Sequence, residues 1–250
     1  MKIGAGMTQK RTKSIFSHLP FAKGGRGGGL GIGVMELSKQ KNYQQSFDFA
    51  CSSIQEMNLE ERAKKAGADY EKGKGGEKIT LRFFLEPYQI QFPQIEFYSP
   101  SKKMVSLVTR ILLLHYLIRA DGNPLTGKWV AYKDIPGGLL YAGVFARRVT
   151  EPLQRRFGKS AKSFKETGIR SEGEPVEIGD ASFILHAFPR VSLQYVLWEE
   201  DEEFPPSVQL LFDASVDHYL SLEDMVVLGQ VTTGRLINRS KLSSDGSSCP

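Results

Sequence analysis

Cysteine is scarce in this sequence: two of its 250 residues are cysteines, Cys51 and Cys249. Two cysteines make neither a disulfide framework nor a cysteine-ligated metal site, which is typical of a reducing compartment. The N-terminus lacks the continuous apolar segment of a secretory signal, and no apolar run reaches the length of a membrane span. The sequence therefore predicts a soluble, cytoplasmic protein with no membrane partner.

The common catalytic motifs are also missing. There is no G-x-S-x-G, no H-E-x-x-H, no paired C-x-x-C and no protein-kinase signature, so the hydrolases, zinc enzymes and phosphotransferases that carry them have no support. One stretch, Gly122–Lys128, has the G-x-x-x-x-G-K spacing of a phosphate loop. However, Trp129 stands where the magnesium-binding hydroxyl belongs, and the stretch follows a helix instead of preceding one. Both features exclude nucleotide hydrolysis, and whether the chain is an enzyme stays open.

Positive charge is concentrated at one end of the chain. The formal net charge is +5, but residues 1–41 hold eight basic residues and one acidic residue. The remaining residues, 42–250, hold 25 basic and 27 acidic residues, so they are slightly acidic. Nine glycines lie within residues 1–34, a density that cannot pack a core. We therefore predict that residues 1–41 form a disordered extension and that nucleic acid is not a partner.

The densest set of structural signals lies in the last third of the chain. Residues 191–198 are apolar on both faces of a strand, which is typical of a strand at the centre of a sheet. A second strand is predicted at 208–212. The connection contains five consecutive acidic residues, Glu199–Glu203, followed by two adjacent prolines that cannot donate to a sheet ladder. These signals predict a β-hairpin whose tip is an acidic crest, residues 199–203.

The other elements complete an α+β prediction. Further strands are predicted at 79–84, 88–98 and 180–188, and helices within 43–72, at 101–120, at 139–157 and from Ser221 to Gly229. The simplest arrangement places both hairpins in one mainly antiparallel sheet packed against the 101–120 helix. We predict a single α+β domain of residues 42–238 with a flexible tail at 239–250.

A ligand site is predicted around the 139–157 helix. Glycines before a helix leave backbone N–H groups open to an anion, and this helix carries several arginines. Asp213, inside an apolar strand, is expected to be buried and to need a partner such as one of these arginines. The alternative is a solvated basic stripe on a surface helix. The candidate ligand-binding residues are Gly137, Gly138, Arg147, Arg148, Arg155, Trp198 and Asp213.

A divalent metal site is the second candidate. Neighbouring carboxylates repel one another unless a cation or solvent relieves the repulsion. Oxygen ligands suit magnesium, calcium or manganese, and a histidine would also admit iron or zinc. The candidate ligands are Asp201, Glu202, Glu203 and His218. The alternative is a solvated turn that prevents edge-to-edge pairing of sheets. His115, in the most apolar helix, is expected to be a packed core residue.

Several short segments carry a resemblance to a known family. They are Pro136–Gly138, Phe145–Arg148, Glu151–Leu153, Gly179–Ala181, Ala187–Arg190, Trp198–Pro205, Phe212-Asp213, Tyr219-Leu220 and Glu223-Asp224. Over residues 45–230 the chain resembles an uncharacterised prokaryotic family, domain of unknown function 3786. The resemblance implies no established activity. Some relatives carry a cysteine-rich iron–sulfur module of the corrinoid-protein type, which implies a link with anaerobic one-carbon metabolism. This chain lacks that cysteine cluster.

Three functions are consistent with these observations. The first is an accessory module that binds an anionic or metal-containing ligand between the arginine-bearing helix and the acidic strand. The second is a metal-assisted enzyme, in which the acidic crest and His218 hold a cation that activates water. The third is a structural or protein-interaction domain. The expected partner is a small anion or another protein, and the oligomeric state does not follow from the sequence.

Overall fold

A computed structural model describes residues 31–241, with side chains from residue 41 onwards. Its α-helices are α1 Gly31–Gln55, α2 Leu59–Ala66, α3 Leu107–Arg119, α4 Ala142–Phe145, α5 Glu151–Phe157, α6 Ala161–Arg170 and α7 Leu222–Lys241. Its strands are β1 Asp69–Gly73, β2 Gly76–Phe83, β3 Glu86–Phe92, β4 Glu96–Tyr98, β5 Trp129–Ala131, β6 Glu174–Val176, β7 Ala181–Phe188, β8 Val191–Trp198 and β9 Ser207–Asp213. Across this range, no helix combines the length and the apolar character needed to cross a bilayer. Most of the extension predicted to be disordered, residues 1–30, lies outside the described residues, as does most of the predicted tail.

The strands form two antiparallel sheets, which confirms the α+β class but not the predicted single sheet. One sheet has the order β1-β2-β3-β4, and the other has the order β5-β9-β8-β7-β6. The sheets approach where the backbone N–H of Phe84 donates to the carbonyl oxygen of Ala187 at 3.0 Å. The prediction of one sheet was wrong because the alternation of apolar residues shows which face is buried but not which strands pair.

The β8–β9 hairpin is confirmed. Strand β8 is the middle strand of its sheet, and its residues are buried on both faces up to Trp198. Its register places Leu193 opposite Phe212 and Trp198 opposite Ser207. The acidic crest therefore lies at one end of the hairpin, and Asp213 lies at the other.

Aromatic side chains join the two sheets to α3. The rings of Tyr116 and Phe188 stack with centroids 4.2 Å apart, and Phe188 also packs against Phe83 at 4.8 Å. The Tyr116 hydroxyl donates to the carbonyl oxygen of Ala66 at 2.7 Å, so a buried polar group is satisfied. Residues from both sheets and from α3 share one apolar cluster.

Two boundaries in the first half differ from the predictions. Gly67 ends α2 with a φ of 67°, and strand β1 begins at Asp69, so the helical interpretation up to residue 72 was wrong. Helix α3 begins at Leu107 because Ser106 caps it, accepting from the N–H of Thr109 at 3.2 Å. Met104, predicted on the apolar face of that helix, is 92% exposed.

The predicted 139–157 helix is divided into shorter segments. A 3₁₀ turn at Gly138–Tyr141 leads into α4, a π-helical segment occupies Ala146–Thr150, and α5 follows. Pro152 lies in the first turn of α5, where a missing N–H costs little. The π-helical segment therefore ends just before the helix that contains the proline.

Helix α7 is longer than predicted. Gly229 does not end the helix; it lies inside it and is buried against Val149. A β-carbon at this position would come within 3.0 Å of the Val149 side chain. The glycine therefore allows α7 to pack closely on the 146–150 segment.

Candidate functional site

The acidic crest is a turn that two of its own carboxylates help to hold in place. The Asp201 carboxylate accepts from the backbone N–H groups of Glu203 at 2.8 Å and Phe204 at 2.6 Å. The Glu199 carboxylate accepts from the N–H of Ala161 at 3.0 Å, in the first turn of α6, where the helix dipole favours negative charge. These two carboxylates stabilise the local backbone.

The other crest carboxylates face solvent. Glu200 lies 3.6 Å from the Lys159 ammonium, and both side chains are well exposed. Glu202 and Glu203 are exposed, and their carboxylates make no hydrogen bond or ion pair within the described residues. Trp198, at the end of β8, is 37% exposed, and its ring edge packs close to Gly179.

The structure does not bring the predicted metal ligands together. Asp201, Glu202 and Glu203 precede β9, whereas His218 follows it. The seven residues of β9 separate the two ends by roughly 20 Å, at the usual rise of an extended strand. In the part of the chain that the structure describes, no three His, Cys, Asp or Glu side chains form a group able to hold a metal ion.

His218 belongs instead to a cluster at the C-terminal end of α3. Its Nδ1 lies 2.5 Å from Oδ2 of Asp121, and the side-chain nitrogen of Asn123 lies 3.1 Å from the same oxygen. Burial acts to raise the pKa of Asp121, but the N–H of Asn123 and the His218 ring outweigh it, so the pKa falls below its ordinary value. The Tyr219 hydroxyl donates to the carbonyl oxygen of Asn123. These contacts fix the loop after α3.

Asp213 holds the same loop from the sheet side. Its carboxylate accepts from the backbone N–H groups of Thr126 at 3.0 Å and Gly127 at 2.7 Å, and from the Thr126 hydroxyl at 3.0 Å. Ser215 adds its N–H at 2.9 Å and its hydroxyl at 2.7 Å. The expectation of an arginine partner was wrong, because backbone and hydroxyl donors satisfy this buried carboxylate.

Residues 122–128, which have the spacing of a phosphate loop, use their backbone N–H groups within the chain. The N–H groups of Thr126 and Gly127, which a phosphate would need, already bind Asp213. Burial acts to raise the pKa of Asp213, but these N–H groups and Ser215 outweigh it and hold the pKa below its ordinary value. The loop therefore encloses an anion that belongs to its own chain.

The predicted anion site has other internal contacts. Arg147 is exposed and Arg148 is half-buried on the π segment. Arg155 forms an exposed ion pair with Glu151 on its own helix at 3.5 Å, so none of the three meets Asp213. The N–H of Gly138 donates to the carbonyl oxygen of Ile135 at 2.7 Å and is not open to an anion.

Gly137 and Gly138 allow the backbone to turn back closely against Tyr132. Gly137 has a φ of 83°, in the left-handed region that favours glycine. A β-carbon on Gly138 would lie 1.9 Å from the carbonyl oxygen of Tyr132. Their role is therefore conformational.

His115 is buried, as expected, and pairs with a buried carboxylate. Its Nδ1 lies 2.7 Å from Oδ1 of Asp224, and the two side chains are 2% and 1% exposed. The other oxygen of Asp224 accepts from the Ser221 hydroxyl at 2.7 Å. Burial acts to raise the pKa of Asp224, but the charge and hydrogen bond of His115 and the bonds from Ser221 lower it.

The order of groups around His115 resembles a catalytic triad, since Oγ of Ser46 lies 3.4 Å from its Nε2. Ser46, however, lies within helix α1, where the neighbouring N–H groups are committed to helical hydrogen bonds and cannot serve as oxyanion donors. We therefore interpret this group as a buried link between α1, α3 and α7.

A cavity of about 870 Å³ lies elsewhere, between the β2–β3 turn and α7. Its volume falls within the range of small-molecule sites, and two other pockets measure about 260 and 430 Å³. One wall is formed by Phe84, Leu85, Glu86 and Pro87, and the facing wall includes Thr232, Arg235, Leu236, Asn238 and Arg239. Neither wall was identified from the sequence.

The cavity combines positive charge with apolar surface. Its lining includes the cationic side chains of Lys103, Arg235 and Arg239 and the carboxylates of Glu86 and Glu172. Cations therefore outnumber anions by one. This lining makes the cavity the best candidate for a functional site among the regions that the structure describes.

Arg235 is the central cation of this site. Its guanidinium lies 4.6 Å from the ring centroid of Phe84 and donates to the Glu86 carboxylate at 3.2 Å. A guanidinium has five N–H donors, and this is its one hydrogen bond within the described residues. Arg235 is thus held in position and keeps donors for a ligand.

A family model for a domain of unknown function, DUF3786, matches residues 58–235. The chain belongs to the DUF3786 family. No curated protein and no solved structure matches it. The DUF3786 match includes both sheets and most of the cavity lining, but it begins after α1 and stops before Asn238 and Arg239.

Sequence reasoning missed the cavity for a specific reason. Arg235 and Glu86 are 149 residues apart in the chain, and neither belongs to a local motif. One signal was present: Leu85, Glu86 and Pro87 connect the predicted strands 79–84 and 88–98, whereas a tight hairpin turn prefers asparagine and glycine. That mismatch marks this turn of the DUF3786 fold as unusual.

Proposed function

We propose that the protein is a non-catalytic binding module that holds a small organic anion in the cavity between the β2–β3 turn and α7. The observation that carries the proposal is the pairing of Arg235, Arg239 and Lys103 with apolar side chains around a cavity of about 870 Å³. Ligand sites usually combine an apolar lining with a few fixed polar groups.

The position of Arg235 supports an anionic ligand. Stacking on Phe84 and pairing with Glu86 restrict the guanidinium before any ligand arrives. A side chain that is already ordered loses less conformational entropy on binding. An arginine also suits carboxylate, sulfonate and phosphate groups because its planar donors match their geometry.

The proposal retains the binding role expected from the sequence and moves it to another site. The candidate ligand contacts from the sequence included the arginines of the 147–155 segment. Cavity geometry favours the arginines of α7 instead. A link with anaerobic one-carbon metabolism and a metal-assisted reaction stay predictions from the sequence.

We further propose a cytoplasmic location. Cys51 is a free thiol, and burial together with the nearby Asp48 raises its pKa to about 11. It is therefore protonated at neutral pH and unreactive, a state compatible with a reducing compartment. Labelling of intact and fractionated cells with an antibody against the chain would test this assignment.

Titration calorimetry with octanoate and with 8-anilino-1-naphthalenesulfonate tests the binding function. Both probes join an anionic group to an apolar body. We expect saturable binding by the wild-type chain and a loss of about tenfold or more in affinity for Arg235→Gln, since a charge-assisted hydrogen bond contributes roughly 1.5–3 kcal/mol.

Arg155→Gln is the matched control because Arg155 also pairs with a glutamate on the surface but lies outside the cavity. We expect it to bind both probes like the wild type. A folded wild-type chain that binds neither probe would overturn the proposal. Equal losses for the two variants would favour a non-specific effect of net charge.

A further inference from the structure

The β2–β3 turn has a strained backbone, and its two residues also line the cavity. Phe83 pairs with Glu86, so the connecting turn consists of Phe84 and Leu85 alone. Their φ angles are 51° and 61°. Two-residue hairpins of this kind favour Asn-Gly because both central residues must adopt a positive φ. Residues with a β-carbon are disfavoured in this conformation.

The fold compensates for Phe84 but not for Leu85. Phe84 is partly buried, its ring lies 4.5 Å from that of Phe83, and its N–H donates to Ala187. Leu85 is 47% exposed, and its side chain lines the cavity. An exposed leucine in a left-handed conformation costs stability and gains little from packing in the unbound protein.

We propose that Leu85 is the specificity-determining contact of the cavity, and that it selects anions that carry an aliphatic or aromatic body over small hydrophilic anions. This inference rests on the proposed binding function. The anionic group meets the α7 arginines, and the apolar body covers Leu85. Binding then removes from water the apolar surface that the free protein leaves exposed.

The anchoring of the turn supports this role. The hydrogen bond from Phe84 to Ala187 joins the turn to the second sheet, and Glu86 joins it to Arg235. The turn is therefore held against both neighbours before a ligand binds. Strain is kept at sites where the surrounding structure fixes it and where it serves binding.

Leu85→Asn separates a binding role from a folding role. Asparagine tolerates a positive φ, so we expect the variant to unfold at a higher temperature than the wild type. It also removes the apolar contact, so we expect affinity for octanoate to fall about five- to tenfold, as for partial burial of a leucine side chain. Affinity for acetate should not change.

Leu125→Asn is the control because Leu125 is also exposed, at 39%, but does not line the cavity. It should leave octanoate binding unchanged. If wild type and Leu85→Asn bind octanoate equally, the inference about Leu85 is wrong while the binding function stands. If the wild-type chain binds neither octanoate nor 8-anilino-1-naphthalenesulfonate, both proposals are wrong.

Discussion

Two groups of carboxylates in this molecule have opposite surroundings. The crest brings five acidic residues together at the surface, where the carboxylates of Glu202 and Glu203 make no hydrogen bond or ion pair within the described residues. Asp213 and Asp224 are buried acidic residues with 2% and 1% exposure, and each accepts several hydrogen bonds. The crest is the conspicuous feature of the sequence, but in the structure the two buried aspartates make the larger number of internal hydrogen bonds.

The difference shows that the contribution of a carboxylate to folding stability depends on the hydrogen-bond donors around it and not on how many carboxylates lie nearby. An exposed carboxylate is solvated whether or not the chain folds, so folding changes its free energy little. A buried carboxylate has lost its water and must recover that energy from neighbouring donors. Mutations of the two groups should therefore differ widely in effect.

The largest effect is expected for Asp224→Asn. The substitution breaks the buried pair with His115, and loss of one partner in such a pair costs about 3–5 kcal/mol. Urea unfolding followed by circular dichroism would measure the change. Glu223→Gln is the control because it removes the adjacent charge from the same first turn of α7; a similar loss in both variants would contradict the role of the pair.

Acid should unfold the protein partly through the same two aspartates. Asp213 and Asp224 both have a pKa below the ordinary value when the chain is folded. Their contribution to stability is therefore complete above the unfolded pKa of about 4 and is lost as pH falls through the lower folded values. Urea midpoints between neutral and acidic pH should fall less steeply in Asp224→Asn than in the wild type.

A smaller loss, about 1–3 kcal/mol, is expected for Asp213→Asn. The asparagine side chain has one acceptor oxygen, whereas the donors around Asp213 use both carboxylate oxygens. Its NH₂ group would also face N–H groups that need an acceptor. Amide hydrogen exchange should quicken at Thr126 and Gly127, which donate to Asp213. Unchanged exchange at both positions would show that the loop is held by other contacts.

Asp201→Ala should cost about 1 kcal/mol, as for loss of a capping side chain, since it removes the acceptor of two backbone N–H groups. The double variant Glu202→Gln with Glu203→Gln should leave the unfolding midpoint nearly unchanged.

We also expect magnesium, calcium and manganese to leave the melting temperature of the wild type unchanged, because the predicted ligands lie at opposite ends of β9. A metal-dependent rise that Asp201→Ala abolishes would restore the crest as a metal site.

Part of the fold could be predicted because it depends on local pattern. The β8–β9 hairpin follows from an unbroken apolar strand, an acidic connection and two prolines, all adjacent in sequence. The division into two sheets could not be predicted, because strand pairing depends on contacts such as Phe84 with Ala187, which lie far apart in the chain. The end of α7 was missed because Gly229 was interpreted from local preference, whereas its packing against Val149 keeps it within the helix.

The candidate site was harder to predict than the fold. Asp213 was correctly expected to be buried, since it lies in an apolar strand, but three of its five donors belong to a loop 86 or more residues away. Arg235 and Arg239 attracted no attention because the helix was predicted to end at Gly229, which left both arginines outside the predicted elements. Their importance arises from a hairpin turn that only the folded chain places opposite them.

Helix α1 also sets a practical limit on how this family is studied. The family match starts at residue 58, but Ala50 and Ile54 of α1 are 1% and 0% exposed and belong to the same core as α3. A recombinant fragment limited to the matched region would lack α1. The apolar residues of α3 that α1 covers would then be exposed to solvent, and we expect the fragment to aggregate. The region that the family model matches is thus shorter than the region that contributes to the core.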